Sequence, residues 1–201
     1  MKLIFSDKTR FSLCTYLWLF FFVSAAGCLW ESFLYLLFYH SVVKRGFFHG
    51  PWLPVYGTGA VLLEWILQAQ PTYLSHRIFR SRFVHAVSIF FLSATVCSLF
   101  EYAIGAYLEW RYQIRYWDYR EFPLQLNGRV CLFSFLLFGI GGLLLHDLIF
   151  PAVRRFSGRL SSQTGRFALR FLLLLFLCDF VYSCYFPNTG RNITFPVFFR
   201  F

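Results

Sequence analysis

The most polar stretch between two strongly apolar runs of this chain is Tyr116–Arg129, with the sequence Y-W-D-Y-R-E-F-P-L-Q-L-N-G-R. It brings together carboxylate, guanidinium, amide and aromatic side chains, which can bind an anionic group or transfer a proton. A polar loop punctuated by proline and glycine between membrane helices is a common location for a functional site. The sequence therefore predicts a site at this loop, and it leaves the substrate open.

A second segment of similar character lies at Arg45–Gly59, with the sequence R-G-F-F-H-G-P-W-L-P-V-Y-G-T-G. Its glycines and prolines stop a helix and force turns, and Pro54 suits the first turn of the helix that follows. Arg45, His49 and Tyr56 supply polar groups. This segment follows the first apolar run and the other polar loop follows the third, so we expect both on the same side of a membrane.

The composition is that of a membrane protein. Of the 201 residues, 58% are hydrophobic and only 14% are charged, and the mean hydropathy is +0.57. A soluble domain averages about a quarter charged residues. The net charge of +10 comes from short basic clusters between apolar runs, which is typical of membrane topology signals rather than of a nucleic-acid-binding surface. The lipid bilayer is therefore the expected partner, and nucleic acid is not.

We expect an all-α, polytopic transmembrane helical bundle of about five spans. The apolar runs lie at about 11–39, 53–68, 83–108, 130–150 and 168–186. Pro151 is expected to end the fourth span. We divide the chain into 1–155, a four-span core with polar loops at 40–59 and 109–129, and 156–201, a basic loop, a fifth span and an aromatic tail. The tail is expected to rest on the membrane interface.

Carboxylates recur at helical spacing along two of the predicted spans, each with a glycine one turn away. These stripes are Gly27, Glu31 and Tyr35 in the first span and Glu101, Gly105 and Glu109 in the third, with Tyr102 adjacent. Further stripes join small residues to a polar group: Gly57, Ala60 and Glu64 in the second span, and Gly139, Gly142 and His146 in the fourth. They predict close helix packing. Asp179 is a lone carboxylate near the middle of the fifth span.

The sequence leaves three roles open for the acidic residues. In the first, Glu31 or Glu101 pairs with Arg45 or Arg129 and ties helix ends to loops. In the second, the arginines form a cationic pocket for a phosphate or carboxylate, and the glutamates orient them.

The third role is that of a membrane-embedded enzyme acting on a lipid or its headgroup. Glu101 or Glu109 would then be the general base, and Asp118 or His49 the acid. The sequence contains no motif that places a serine or cysteine nucleophile beside a histidine, so catalytic residues are not assigned. A non-enzymatic role is favoured.

No cofactor or metal is predicted. The six cysteines lie in or beside apolar runs without Cys-x-x-Cys pairs, and histidines do not cluster with them at ligand spacing. The sequence also lacks the G-x-x-x-x-G-K-[ST] motif of a P-loop, so an ATPase would have to be a separate subunit.

Charge distribution favours a cytoplasmic amino terminus and places both polar loops outside. The basic clusters 70–82 and 154–166 stand almost alone on the amino-terminal side, whereas the opposite side mixes basic residues with Glu109, Asp118 and Glu121.

Several motifs together resemble a family of bacterial polytopic membrane proteins named putative ABC-transporter permeases. They are Trp30-Glu31, the whole of Arg45–Gly59, Glu101-Tyr102, Glu109 ahead of Trp117-Asp118-Tyr119, and Leu126-Asn127-Gly128-Arg129. The resemblance covers about 28–151. It implies an integral protein of the cell membrane that is a permease subunit. From the residues we expect it to handle a small solute or lipid headgroup, and to act with a separate ATPase subunit or by self-association. A structural protein with no substrate is the remaining alternative.

The motifs and the polar loops together define the candidate polar site. It comprises Glu31, Arg45, Gly50, Pro51, Pro54, Tyr56, Gly57, Glu101, Tyr102, Glu109, Trp117, Asp118, Tyr119, Asn127, Gly128 and Arg129. Arg120 and Glu121 are interpreted as ordinary solvated loop charges.

Overall fold

The computed structural model describes residues 13–40, 43–69, 82–159, 163–190 and 193–195. Five helices make up most of this part of the chain: α1 (Leu13–Tyr39), α2 (Pro54–Ala69), α3 (Arg82–Tyr112), α4 (Leu132–Arg159) and α5 (Gln163–Tyr185). Between these helices the described backbone forms only isolated bridges and no strand. The predicted all-α bundle is confirmed.

Four of the helices are long and apolar enough to cross a membrane: α1, α3, α4 and α5. The predicted second span exists as α2, but its 16 residues extend only about 24 Å, short of the roughly 30 Å hydrocarbon core. Even so, Tyr16 near the start of α1 donates a hydrogen bond to Gln68 near the end of α2. α2 therefore runs back along most of α1.

The core lies where α1, α2, α4 and α5 meet, and it includes Leu19, Leu63, Leu145 and Leu169. Gly57 lets α2 approach α1 closely, since a Cβ there would lie 2.2 Å from Ser24 Oγ and 2.5 Å from a backbone oxygen of α1. The small residue predicted on this stripe thus faces the neighbouring helix.

α4 packs most extensively on α3, through the face that the glycine spacing predicts. A Cβ on Gly139 would lie 2.5 Å from the ring of Phe90, and a Cβ on Gly142 would lie 2.0 Å from Ser93 Oγ. The adjacent Gly141 points away, with nothing within 4 Å of such a Cβ. Only the glycines on one face are needed for the contact.

The prediction that Pro151 ends the fourth span is wrong. α4 continues to Arg159, and the five residues Leu145–Ile149 just before the proline form a π-helical turn. The N–H of Phe150 donates to the carbonyl of Leu145, five residues back. This wider turn accommodates a residue that has no N–H of its own.

The loops after α1 and α3 meet at one end of the bundle together with part of the tail. We call residues 43–53, 113–131, 187–190 and 193–195 the polar end. Asn188 binds the first loop, because its side chain donates to the carbonyls of Lys44 and Gly46, each at 3.0 Å. Its own carbonyl accepts a hydrogen bond from the Tyr116 hydroxyl at 2.9 Å. This part of the tail joins the two polar loops at one end of the bundle. That the tail rests on the membrane interface stays a prediction.

Several sequence predictions lie outside the described residues. These are the amino-terminal segment 1–12, the basic loop 70–81, residues 160–162 of the second basic loop, and the tail beyond 195.

Candidate functional site

Glu109, on the last turns of α3, is the centre of a buried ion-pair cluster and is only 2% exposed. Arg115 Nη2 lies 2.8 Å from Glu109 Oε1, and Arg129 Nη2 lies 2.8 Å from Glu109 Oε2. Both arginines are 5% exposed. One carboxylate therefore holds two arginines of the 113–131 loop against α3, Arg115 through an ion pair and Arg129 through charge-assisted hydrogen bonds.

Asp118 and Arg120 extend this cluster. Arg120 donates to Asp118 from both its backbone N–H and its guanidinium, and Arg115 Nη1 donates to Asp118 Oδ1 at 3.3 Å. Burial acts to raise the pKa of Asp118, but the hydrogen bonds and charge of Arg120 outweigh it and hold that pKa below its ordinary value. The interpretation of Arg120 as a solvated loop charge is therefore wrong, whereas Glu121 is exposed.

Gly128 allows the loop to fold around these charges. Its φ of +67° lies in the left-handed region, which glycine adopts without steric cost. A Cβ there would lie 2.6 Å from Arg115 Nη1 and 3.0 Å from Asp118 Oδ1. A side chain at this position would therefore separate the charged groups.

Tyr102 and Asn127 of the predicted site tie the loop to α3, and Trp117 ties the two ends of the loop together. The Tyr102 hydroxyl accepts from Asn127 Nδ2 at 2.9 Å and from Arg129 Nη1 at 3.1 Å. Trp117 Nε1 donates to the carbonyl of Arg129 at 2.8 Å. Burial acts to lower the pKa of Arg129, but the hydrogen bond and charge of Glu109 outweigh it and raise that pKa. The guanidinium is held charged in this setting.

The first polar loop contributes a second ion pair. Arg45 Nη1 lies 3.2 Å from Glu31 Oε2, and the hydroxyl of Tyr56 donates to Glu31 Oε1 at 3.0 Å. The Arg45 guanidinium also lies over the Tyr35 ring and donates from Nη2 to the carbonyl of Tyr116. Arg45 therefore connects α1 and the first loop to the second polar loop.

Glu101 differs from Glu31 and Glu109 because, among the described residues, it forms no ion pair with an arginine. It is 8% exposed, and its Oε1 accepts from the hydroxyl of Tyr119 at 3.2 Å. Burial and the nearby Glu101 charge raise the pKa of Tyr119, so the phenol stays a donor. Glu101 Oε2 is buried and has no hydrogen-bond partner among the described residues. Of the two predicted ion pairs, Glu31–Arg45 forms, whereas Arg129 pairs with Glu109 instead of Glu101.

Asp179 of α5 binds the turn of the first polar loop. It accepts from the backbone N–H of His49 at 3.1 Å, from that of Gly50 at 2.9 Å and from Trp52 Nε1 at 2.6 Å. Pro51 lies exposed in the same turn. Asp179 sits six residues before the end of α5, closer to the polar end than the sequence predicted.

The structure thus brings both predicted loops together and adds residues that the prediction omitted. The omitted contributors are Arg115, Trp52, Asp179 and Asn188. A carboxylate inside an apolar span is a functional candidate by default, so Asp179 could have been predicted from the sequence. Asn188 could not, because its role depends on a tail that returns to both loops.

The site holds little free space. A narrow recess, too tight to hold a water molecule, is lined by Gly105, Leu108, Glu109, Ile114, Arg115, Tyr116 and Trp117. Among the described residues, no group of three or more histidine, cysteine or carboxylate side chains is placed to hold a metal ion. The arrangement suits hydrogen bonding to a small anionic group at the arginines.

Comparison with models of known protein families identifies the family of this chain. A family model described as "Putative ABC-transporter type IV" matches residues 18–184. The chain belongs to this family. The match extends beyond the 28–151 that the motifs covered, and it includes α5 and Asp179. No curated protein and no solved structure matches the chain. Family membership and the four apolar helices make it a transport-related, multi-pass membrane protein.

Proposed function

We propose that this chain is a permease-like membrane subunit of a transport system, and that its polar end binds an anionic group of the transported solute. Family membership supports the transport role. The binding role rests on one observation: three arginines and two carboxylates converge in one cluster at the polar end, buried at Glu109, Arg115 and Arg129 and partly exposed at Asp118 and Arg120. The members are Arg115, Arg120, Arg129, Glu109 and Asp118. Three positive and two negative charges leave one positive charge in excess, which favours an anion.

Binding at this cluster would work by exchange of partners. Arg115 and Arg129 present guanidinium groups that match the oxygens of a carboxylate or phosphate as well as they match Glu109. The recess beside them is too small for an organic solute. An entering solute would therefore displace the 113–131 loop from α3 and take over one of the arginines. In this view the present arrangement is the closed state of the site.

A structural role without a substrate is the second candidate, and the pairing itself favours it. Each of the three arginines already binds a carboxylate, and Arg45 binds Glu31. Such a network fixes loops to helix ends without any ligand. An enzymatic role has less support, because Asp118, one of its proposed acids, has a lowered pKa and does not hold a proton near neutral pH.

We further propose that the amino terminus is cytoplasmic and the polar end lies outside. No P-loop occurs in the chain, so the subunit would act with a separate ATPase or as an assembly of several copies.

Thermal stability of the purified protein with added anions tests the binding role. The probes are inorganic phosphate, a small dicarboxylate such as succinate, and micelles doped with phosphatidylglycerol. At least one should raise the melting temperature of the wild type and of Arg155→Gln, an exposed arginine at the far end of α4. Arg129→Lys keeps the charge but loses the paired N–H groups. We therefore expect it to lower the affinity for the stabilising anion at least about tenfold.

Two results would separate the candidates. If no probe stabilises the wild type, and Glu31→Arg/Arg45→Glu restores the stability lost in each single variant, the structural role is correct. Equal responses of the wild type and Arg129→Lys would place the anion elsewhere.

A further inference from the structure

Glu64 of α2 is completely buried and lies away from the polar end. Its Oε1 is 3.1 Å from Nδ1 of His146, which projects from the π-helical turn of α4. Its Oε2 is 3.5 Å from the side-chain nitrogen of Gln68 one turn along α2. Among the described residues, the ion-pair partner of Glu64 is His146. Whether the negative charge of this carboxylate is balanced therefore depends on an imidazole, a group that exchanges protons near neutral pH.

The groups around the pair come from three other positions in the bundle. Tyr16 of α1 donates its hydroxyl proton to Gln68 at 3.1 Å. The ring of His85 of α3 lies with its centroid 5.8 Å from that of His146. Asp147 is the next residue of α4 and is exposed. Among the described residues, the titratable groups that face the pair are thus a phenol, a second imidazole and a surface carboxylate.

The packing at this point leaves His146 a route to the surface while sealing Glu64. The His146 side chain is 28% exposed and the Glu64 side chain 0% exposed. Gly142, one turn before His146, brings α4 against Ser93 and Leu63, the neighbour of Glu64. The π-helical turn then shifts the register of the residues that follow. Such turns often occur at functional positions, and this one carries the histidine.

We propose that Glu64 and His146 form a buried proton-binding site that controls how tightly α2 is held to α4. In the protonated state an imidazolium donates to a carboxylate, and the pair has no net charge. Release breaks the Nδ1–H or Nε2–H bond, leaves its electron pair on the ring nitrogen and passes the proton to water through the exposed part of His146. The pair then carries one buried negative charge, which a low-dielectric environment disfavours.

The direction of the effect follows from this charge change. The contact is fully favourable when His146 is protonated, and it weakens as pH rises through the titration of the pair. A single proton bound only by the folded state changes the folding equilibrium constant up to tenfold per pH unit. The device is independent of the anion site at the polar end.

Unfolding by SDS in mixed micelles, followed over a range of pH, tests the proposal. The wild type should become less stable as pH rises, by up to tenfold in the equilibrium constant per pH unit. The double variant Glu64→Gln/His146→Gln replaces both charges with amides that can still hydrogen-bond, so it should lack that dependence. Glu121→Gln, which removes an exposed carboxylate at the polar end, should keep it. A double variant with the wild-type pH dependence would overturn the proposal, and so would its loss in Glu121→Gln.

A measurement on the unmodified protein guards against misfolding of the variant. Backbone hydrogen exchange of α2, corrected for the intrinsic effect of pH, should show protection falling with pH around Glu64 and Gln68. The first turns of α2 around Tyr56, which Glu31 holds, should not change. A uniform change along α2, or none, would contradict a proton-binding site at this position.

Discussion

Glu109 accepts hydrogen bonds from Arg129 and forms an ion pair with Arg115 at a position where water has almost no access. Removing its charge leaves Arg115 and Arg129 as buried cations beside each other. Breaking a buried ion pair on one side costs about 3–5 kcal/mol, far more than the loss of a surface pair.

We therefore expect Glu109→Gln to lower the free energy of unfolding by an amount on the order of 3–5 kcal/mol. The control is Glu121→Gln, which removes a carboxylate from the exposed part of the same loop and should have little effect. The measurement is SDS unfolding of both variants in mixed micelles. Similar stabilities for the two variants would show that the Glu109 cluster does not hold the loop.

The lowered pKa of Asp118 predicts that stability falls with falling pH, which is opposite in sign to the effect expected from Glu64 and His146. Its folded-state pKa is lowered, so its contribution to stability is complete above the ordinary aspartate pKa and is lost as pH falls through the lower, folded value. The wild type should lose stability on acidification below pH about 4. Asp118→Asn should be less stable at neutral pH and less sensitive to acid. A steeper acid response in Asp118→Asn would contradict the pairing with Arg120.

At the scale of single elements, the spacing of small and polar residues predicted the packing faces well. Gly139, Gly142 and His146 all contact neighbouring helices, as their spacing indicates. The prediction succeeds because two helices can approach closely only where small residues lie on the contacting face. The extent of the helices was predicted less well. A proline usually ends a helix, and only the π-helical turn before Pro151 lets α4 continue.

Two adjacent glycines of α4 provide a matched test of that packing. Gly142→Ala places a Cβ 2.0 Å from Ser93 Oγ and should destabilise the protein by about 1–3 kcal/mol. Gly141→Ala has open space and should be neutral or slightly stabilising. The thermal melting temperatures of the two variants in detergent provide the comparison. If both substitutions are tolerated equally, α3 and α4 do not pack through this face.

The polar end shows where prediction from sequence stops. The loops and most of their charged residues could be chosen from composition, because polar side chains between apolar spans are unusual. Which arginine pairs with which glutamate could not be predicted, because Glu101 and Glu109 lie on the same helical stripe and several arginines follow them. In the structure Arg129 binds Glu109 rather than Glu101. The role of Asn188 depends on the tail returning to both loops, which no local pattern encodes.

For the whole molecule, the proposed external polar end and cytoplasmic amino terminus place the two ends of α4 in different aqueous compartments. Glu121→Cys lies on the exposed surface of the polar end, and Gly158→Cys lies near the far end of α4 with open space around it. In intact cells a membrane-impermeant thiol reagent should label the first and not the second, and after lysis it should label both. The reverse pattern would place the amino terminus outside.

Native purification under mild conditions tests most directly whether this chain acts as a membrane subunit of a transport system. The complex is extracted from the membrane, and mass spectrometry identifies the bound proteins, lipids and small molecules. We expect an ATPase in fixed ratio to the chain, together with an anionic solute that is lost in Arg129→Lys while the ATPase remains. A wild-type chain that copurifies with neither an ATPase nor a solute would contradict the account.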